Sequence, residues 1–186
     1  MLNWLSGYKD KALTAIGLKP PEVPNKPETP EVPDSALPDR RIAVRIHASG
    51  SLNATSEGQP LSLVVRLYRL RSTEAFLAAP VATFGDPARE KEVLGDALVS
   101  TRELLIRPGQ HMETQEKFGR ESGFLGVVGL FRKPAEGRWR QVFDVRTAEL
   151  TGLTIGALAC GLSATVGQPV GPDASLARGV GVSCPI

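Results

Sequence analysis

The sequence predicts a mainly β protein, an antiparallel β-sandwich of about seven or eight strands with a small helical insert. Three observations predict it. Val, Leu and Thr recur in short runs, and several runs alternate apolar and polar residues with the period of a strand. Turn formers separate the runs, with 19 glycines and 15 prolines among 186 residues. Aromatic residues are sparse, at 5%. This is the pattern expected of many short strands joined by turns.

Composition divides the chain into three segments. Residues 1–19 place Trp4, Tyr8 and Leu13 near helical spacing, which predicts a short amphipathic helix that either lies at a membrane surface or is a frayed terminus. Residues 20–39 hold seven of the 15 prolines, so we expect an extended linker there. Residues 40–186 are predicted to form the β-sandwich domain.

The domain opens with two strands joined by an exposed loop. In residues 41–48, Ile42, Val44 and Ile46 share one face and polar side chains the other. Residues 49–59 are polar and rich in turn formers. Residues 60–71 form the clearest strand, because one face would enter a core while the other points outward or to a half-buried edge. The inward set is Leu61, Leu63, Val65 and Leu67, and the outward set is Ser62, Val64, Arg66 and Tyr68.

A helical insert is predicted after the second strand. Ser72 and Thr73 precede good helix formers that extend to residue 79. Asp86 is a capping residue, Pro87 suits the first helical position, and Gly95 lies just past the end of the second helix. Strand signals then resume over residues 101–107, weakly over 111–116, and over 124–132, 139–145, 153–166 and 176–184. The run 124–132 is apolar on both faces, which predicts a central strand.

The two cysteines, Cys160 and Cys184, allow two interpretations. If they pair, the bond would stabilise the fold by about 3–4 kcal/mol and would indicate an oxidising compartment. They could instead be two unpaired, buried small residues. We favour pairing because the segment between them resembles two strands around a Gly/Pro turn, which would bring the sulfur atoms together.

Composition and motifs argue against several function classes. The net charge of +2 is far from that of a nucleic-acid binder, and no apolar run approaches the roughly 20 residues that span a bilayer. His47 and His111 are each isolated, so we expect surface histidines and no metal site. Ser122 is misplaced for a nucleophile elbow, and the glycines form no phosphate loop and are expected to permit close sheet packing or bulges. We therefore predict neither enzymatic activity nor a cofactor.

Four arginines could form a basic patch. We expect a solvated surface paired with carboxylates, or a protein interface in which Arg and Tyr68 act as anchors. The arginines are Arg45, Arg66, Arg69 and Arg71.

The order of these motifs resembles the outer-membrane lipoprotein family of the bacterial type VI secretion system, TssJ/VasD/SciN. The likeness covers roughly residues 40–166. It rests on the strand of residues 60–70, a short helix, Leu94-Gly95-Asp96 followed by Val99, the glycine-rich strand of residues 124–132, and Trp139-Arg140.

The resemblance implies a transthyretin-like β-sandwich in the periplasm, tethered by a lipid to the inner leaflet of the outer membrane. Its implied role is structural: it binds the periplasmic C-terminal domain of the inner-membrane protein TssM and helps dock the secretion apparatus. In that family the loop between the first two strands contacts TssM. By position this loop corresponds here to Leu52, Asn53, Ala54, Thr55, Ser56, Glu57, Gly58 and Gln59.

One departure from the family concerns the N-terminus. The family carries a signal peptide and a lipid-accepting cysteine before the linker, and neither precedes the linker here. We expect that this segment has been trimmed, or that the protein is an unlipidated form, and we expect the chain as printed to be soluble.

Two other functions remain open: a periplasmic binding module for glycan or peptide, and a transthyretin-like hydrolase, against which the low histidine count argues.

Overall fold

A computed structural model of the chain describes residues 32–33, 36–179 and 181–185. The helix predicted over residues 1–19 and most of the linker predicted over 20–39 lie outside the described residues. The chain divides into two compact units, Met1–Pro33 and Asp34–Ile186. In the first, only Val32 and Pro33 are described, and both are exposed. The second unit contains the folded domain described below.

The described residues form eight strands in two four-stranded sheets. The first sheet has the order β4-β1-β7-β8 and the second has the order β3-β2-β5-β6. The strands are β1 (Arg40–Ala48), β2 (Leu63–Leu70), β3 (Leu98–Ile106), β4 (His111–Phe118), β5 (Phe124–Gly129), β6 (Arg140–Asp144), β7 (Leu153–Ala157) and β8 (Leu162–Val166). The predicted mainly-β sandwich with a small helical insert is confirmed.

In the described part of the chain, four short α-helices accompany the sheets: α1 (Glu74–Ala78), α2 (Pro87–Leu94), α3 (Val145–Thr151) and α4 (Ala174–Ala177). In α2 the side chain of Asp86 accepts hydrogen bonds from the backbone N–H groups of Ala88 and Arg89, and the helix bounds match the prediction. The sequence analysis did not predict α3. Its cap is Asp144, whose side chain accepts from the N–H groups of Arg146 and Thr147.

The main core lies between the two sheets. Alternate residues of β1 and β2 point into it, and all of them are at most 2% exposed: Ile42, Val44, Ile46, Leu63, Val65 and Leu67. Burying aliphatic side chains of this size stabilises the fold by roughly 1.5–3 kcal/mol each. This inner face of β2 is the one that the alternation in the sequence predicts.

The other face of β2 differs from the prediction of an outward or half-buried surface. Tyr68 and Leu70 are fully buried and pack in a second apolar cluster with Phe76 of α1, Phe84 and Leu94 of α2. The helical insert folds back over the second sheet and covers this face. Strand β2 is therefore buried on both sides, as β5 was predicted to be.

Strand pairing is mostly antiparallel, as predicted, with one parallel exception; β1–β4 and β2–β5 are antiparallel pairs of strands that are not consecutive in the chain. Strand β1 pairs with β7 in parallel, from Val44 opposite Leu153 to Ala48 opposite Ala157. The run of residues 153–166 forms the two strands of a hairpin, β7 and β8.

The strand predicted over residues 176–184 is wrong. Those residues that are described form the end of α4 and an irregular tail. The Arg138 guanidinium donates hydrogen bonds to the carbonyl groups of Gly179 and Gly181, at 2.9 and 3.1 Å. A side chain therefore holds the tail in place of a neighbouring strand. The segment between the cysteines is correspondingly one strand and one helical turn, not two strands around a turn.

Candidate functional site

Four connections between strands meet at one end of the sandwich, which we call the loop end. They are the β1–β2 loop (residues 49–62), the β3–β4 turn (107–110), the β5–β6 connection (130–139) and the β7–β8 turn (158–161). Backbone hydrogen bonds join them: Ser49 N–H donates to Ala157 O at 2.8 Å, and Gly109 N–H donates to Ser49 O at 3.1 Å. The helical insert leaves the sheet at the opposite end, after Leu70.

The predicted partner loop, residues 52–59, lies at the loop end but is not exposed throughout. Leu52 is fully buried in the main core and Asn53 is 6% exposed. The expectation of an exposed loop is therefore wrong for these two residues, because Leu52 packs between the sheets. Ala54 and Thr55 are partly buried, and residues 56–59 are exposed. Only residues 54–59 present side chains that could contact another protein.

Asn53 fixes the base of this loop. It adopts the left-handed conformation, with φ of 47°, which Asn tolerates better than most residues. Its Nδ2 donates to Ser62 O at 3.0 Å, and its Oδ1 accepts from Arg132 N–H at 2.9 Å. Its own N–H donates to Leu158 O at 3.3 Å. One buried side chain thus ties the β1–β2 loop to the β5–β6 connection.

The tip of the loop is held by its own hydrogen bonds. Thr55 N–H donates to Gln59 O at 2.9 Å, and Gln59 N–H donates to the Thr55 hydroxyl at 3.2 Å. The Ser56 hydroxyl donates to the Glu57 carboxylate at 3.1 Å. Hydrogen bonds from Thr55, from the Glu57 backbone and from Ser56 lower the pKa of Glu57. The tip therefore carries a negative charge at neutral pH.

The cysteine pair borders the same end of the domain. Cys160 in the β7–β8 turn and Cys184 in the tail form a disulfide, so the predicted pairing is confirmed. Ala135 N–H of the β5–β6 connection donates to Cys160 O at 2.8 Å. Arg138 also donates to Leu162 O at 3.1 Å, and burial lowers the pKa of its guanidinium. The tail is therefore fixed by a covalent bond and by Arg138.

A cavity of about 240 Å³ opens between the loop tip, the β5–β6 connection and the tail. We call it the disulfide groove. It is lined by Ala54, Thr55, Ser56, Lys133, Cys160, Cys184 and Pro185. The sequence analysis did not predict this groove, because its lining residues come from four segments that are distant along the chain: the β1–β2 loop, the β5–β6 connection, the β7–β8 turn and the tail.

The structure changes the interpretation of two other groups of residues. His47 and His111 are not isolated: they lie opposite each other on β1 and β4, with ring centroids 4.7 Å apart. Arg66 and Tyr68 are 7% and 0% exposed, so the hypothesis that they anchor an interface is wrong.

The expectation that the four arginines form one surface patch paired with carboxylates is only partly correct, because Arg45 lies in the first sheet and Arg69 in the second, and Arg71 donates to the backbone oxygen of Asp96. Arg45 pairs with Glu113 at 3.2 Å and Arg69 with Glu116 at 3.0 Å.

Ser122 is fully buried. Within the described residues, no group of three or more His, Cys, Asp or Glu could hold a metal ion.

Comparison with known families assigns the chain. Residues 40–160 match the T6SS-SciN family model, described as the type VI secretion lipoprotein, VasD, EvfM, TssJ, VC_A0113. This chain belongs to that family. The matched residues include all strands from β1 to β7 and the β1–β2 loop. No curated protein matches the sequence.

Solved structures agree with this assignment. The T6SS lipoprotein TssJ1 from Pseudomonas aeruginosa is 31% identical, with a TM-score of 0.63 over 73% of this chain and 100% of that chain. The Serratia marcescens protein Lip, a membrane-bound component of the type VI secretion system, is 22% identical, with a TM-score of 0.59 over 73% of this chain and 99% of that chain. At that identity, the Lip structure shows a shared fold.

A chain in a structure described as the T6SS protein TssM C-terminal domain from EAEC also shares the fold. It is 22% identical, with a TM-score of 0.57 over 67% of this chain and 97% of that chain.

Membership of the VasD/TssJ family establishes the broad function. The protein is a non-enzymatic, structural component of the type VI secretion membrane complex and an outer-membrane lipoprotein of the periplasm. The Cys160–Cys184 disulfide suits this oxidising compartment. Across the described part of the chain, no helix is long and apolar enough to cross a membrane.

Proposed function

We propose that this lipoprotein domain binds the periplasmic C-terminal domain of TssM through residues 54–59 of the β1–β2 loop. In this way it would tie the secretion apparatus to the outer membrane. The linker predicted over residues 20–39 would hold the domain away from a lipid-anchored N-terminus. Family membership supports this role, because the β1–β2 loop is the family's contact with TssM.

The observation on which the proposal rests is that the base of the loop is buried while its tip is exposed. Leu52 in the core and Asn53 at the base are buried, while residues 56–59 are exposed. Internal hydrogen bonds of Thr55 hold the tip in one shape. A loop that is ordered before binding loses little conformational entropy when a partner docks. The β1–β2 loop therefore has the form of a recognition surface.

The proposal is tested by replacing residues 54–59 with a Gly/Ser segment of equal length. Leu52 and Asn53 are kept, because both support the fold. Binding of the purified periplasmic domain of TssM is measured by biolayer interferometry, and folding by circular dichroism. We expect an unchanged spectrum and a Kd raised by at least about tenfold, which corresponds to about 1.4 kcal/mol.

A control changes exposed residues on α2, outside the β1–β2 loop. Lys91 and Glu92 are exposed on α2, and replacing both with Ala should leave the Kd unchanged. If the loop replacement binds TssM as tightly as the wild type, the contact lies elsewhere. If the intact domain does not bind TssM at micromolar concentration, the proposed partner is wrong.

A further inference from the structure

The disulfide groove adjoins the proposed recognition loop. Ala54, Thr55 and Ser56 form one wall of the groove and also begin the exposed part of the loop. The other lining residues are Lys133 in the β5–β6 connection, the two cysteines of the disulfide, and Pro185. A protein that docks on residues 54–59 would therefore cover the groove as well.

The accessible lining of the groove is mainly apolar, with Thr55, Ser56 and Lys133 as its polar residues. Ala54, the disulfide and Pro185 carry no charged group, and Ala54 N–H donates to Ala159 O at 3.1 Å. The volume of about 240 Å³ is below the roughly 300–1,000 Å³ of most small-molecule sites. A groove of this size suits a single apolar side chain from a partner protein.

One charge at the rim of the groove has no partner. The hydroxyl groups of Thr55 and Ser56 are occupied within the loop by Gln59 and Glu57. Lys133 is exposed, and among the described residues its ammonium group makes no hydrogen bond or ion pair. The neighbouring Arg132 is also exposed. A partner with an acidic group beside its apolar side chain would match this charge.

We infer that the disulfide groove is a second part of the docking surface, and that it accepts an apolar side chain from an acidic segment of the partner. The partner's carboxylate pairs with Lys133 while the apolar side chain packs on Ala54, Pro185 and the disulfide. This inference rests on the proposed function, because the same partner occupies the loop and the groove.

The electrostatic part is tested with two variants of Lys133 and one variant of Lys117, which serves as the control. Binding of the TssM periplasmic domain is measured at about 50 mM and 300 mM salt. Lys133→Glu should raise the Kd by about tenfold or more at low salt, since it replaces attraction with repulsion, and the effect should shrink at high salt. Lys133→Arg, which keeps the charge, should stay within about twofold of the wild type. Lys117→Glu makes the same change of net charge at an exposed site opposite Arg41, toward the other end of β1, and should also stay within about twofold.

The apolar part is tested by filling the groove. Ala54→Leu keeps the backbone hydrogen bond of residue 54 but occupies the space between the walls. We expect a Kd raised by at least about fivefold at both salt concentrations, with the circular dichroism spectrum and the Tm unchanged.

Three outcomes separate this inference from the proposed function. If the 54–59 replacement weakens binding while Lys133→Glu and Ala54→Leu bind as the wild type does, the groove is not part of the interface and the loop contact stands. If Lys117→Glu weakens binding as much as Lys133→Glu, the effect is one of net charge and the groove is excluded. If the wild type does not bind TssM, the proposed function fails and the inference fails with it.

Discussion

Gly126 allows the helical insert to lie directly on the second sheet. It lies in β5 opposite Tyr68 and Val142, and a Cβ atom placed on it would come within 2.7 Å of the Phe76 ring. Phe76 is fully buried, and its ring centroid lies 5.3 Å from that of Tyr68 and 5.1 Å from that of Phe84. The ring has no free space into which to move. The expectation that glycines in this strand permit close packing is therefore confirmed for Gly126.

Adding a methyl group at this position should separate α1 from the sheet. We predict that Gly126→Ala lowers the free energy of unfolding by about 1–3 kcal/mol, because overpacking a filled core forces side chains off their preferred positions. Urea denaturation monitored by fluorescence measures the change. Gly50→Ala is the matched control, since a Cβ there meets nothing within 4 Å, and its effect should stay within about 0.5 kcal/mol. Equal stability of the two variants would contradict the close contact.

At the scale of elements, one carboxylate fastens α2 to β2. Glu90 is 1% exposed. Its Oε2 accepts from the Arg66 guanidinium at 2.9 Å, and its Oε1 accepts from the Tyr68 hydroxyl and from Gly85 N–H, both at 2.7 Å. Burial, followed by the hydrogen bond to Glu90, raises the pKa of Tyr68. Arg66 and Glu90 can be buried together because their charges pair with each other, although the buried Nε of Arg66 has no hydrogen-bond partner among the described residues.

Removing this carboxylate should be costly. We predict that Glu90→Ala lowers the free energy of unfolding by about 3–5 kcal/mol, because it breaks a buried ion pair and leaves the Tyr68 hydroxyl without its acceptor. Glu92→Ala on the exposed face of the same helix should change it by less than about 0.5 kcal/mol. Chemical denaturation of both variants measures the difference. A loss below about 1 kcal/mol for Glu90→Ala would show that the helix is held by apolar packing alone.

Short sequence patterns predicted those helices and strands whose structure depends mainly on neighbouring residues. Asp86 and Pro87 marked the start of α2, and the alternation in β2 identified its core face. Helix α3 carries a similar signal, with Asp144 as its cap and Gly152 after its end, but Asp144 was assigned to the preceding strand. The tail after α4 could not be predicted, because Arg138, about 40 residues away, holds its carbonyl groups.

The candidate site was predictable only in part. The resemblance placed the loop at residues 52–59, but the burial of Leu52 and Asn53 depends on contacts outside the loop. Leu52 as the lone large apolar residue of a polar segment was the available sequence signal. The groove beside Lys133 had no such signal, because it exists only where three connections and the tail, all distant along the chain, meet.

At the scale of the whole molecule, the loop end is braced by connections that come from both sheets and from the tail. Asn53 joins the β1–β2 loop to Arg132 in the β5–β6 connection, and Cys160 joins the β7–β8 turn to Cys184. The disulfide therefore has two effects, which separate experimentally. It restricts the unfolded chain, and it holds Cys184 and Pro185 among the residues that line the groove.

Replacing both cysteines tests both effects, because the free energy of unfolding reports the first effect and the Kd for TssM reports the second. We predict that the Cys160→Ala, Cys184→Ala double variant loses about 3–4 kcal/mol of unfolding free energy, the value expected for closing a loop with a sequence separation of 24. Urea denaturation at pH 7 measures it. Mass spectrometry of the unreduced wild-type protein provides the control, since two free thiols would contradict the bond.

Because the two sheets and Asn53 remain, the double variant should fold at low temperature and should still bind TssM through residues 54–59. The double variant loses only the contacts of the groove, so its Kd for TssM should rise to about the Kd expected for the Ala54→Leu variant. A loss of binding as large as that of the 54–59 replacement would show instead that the disulfide supports the recognition loop itself.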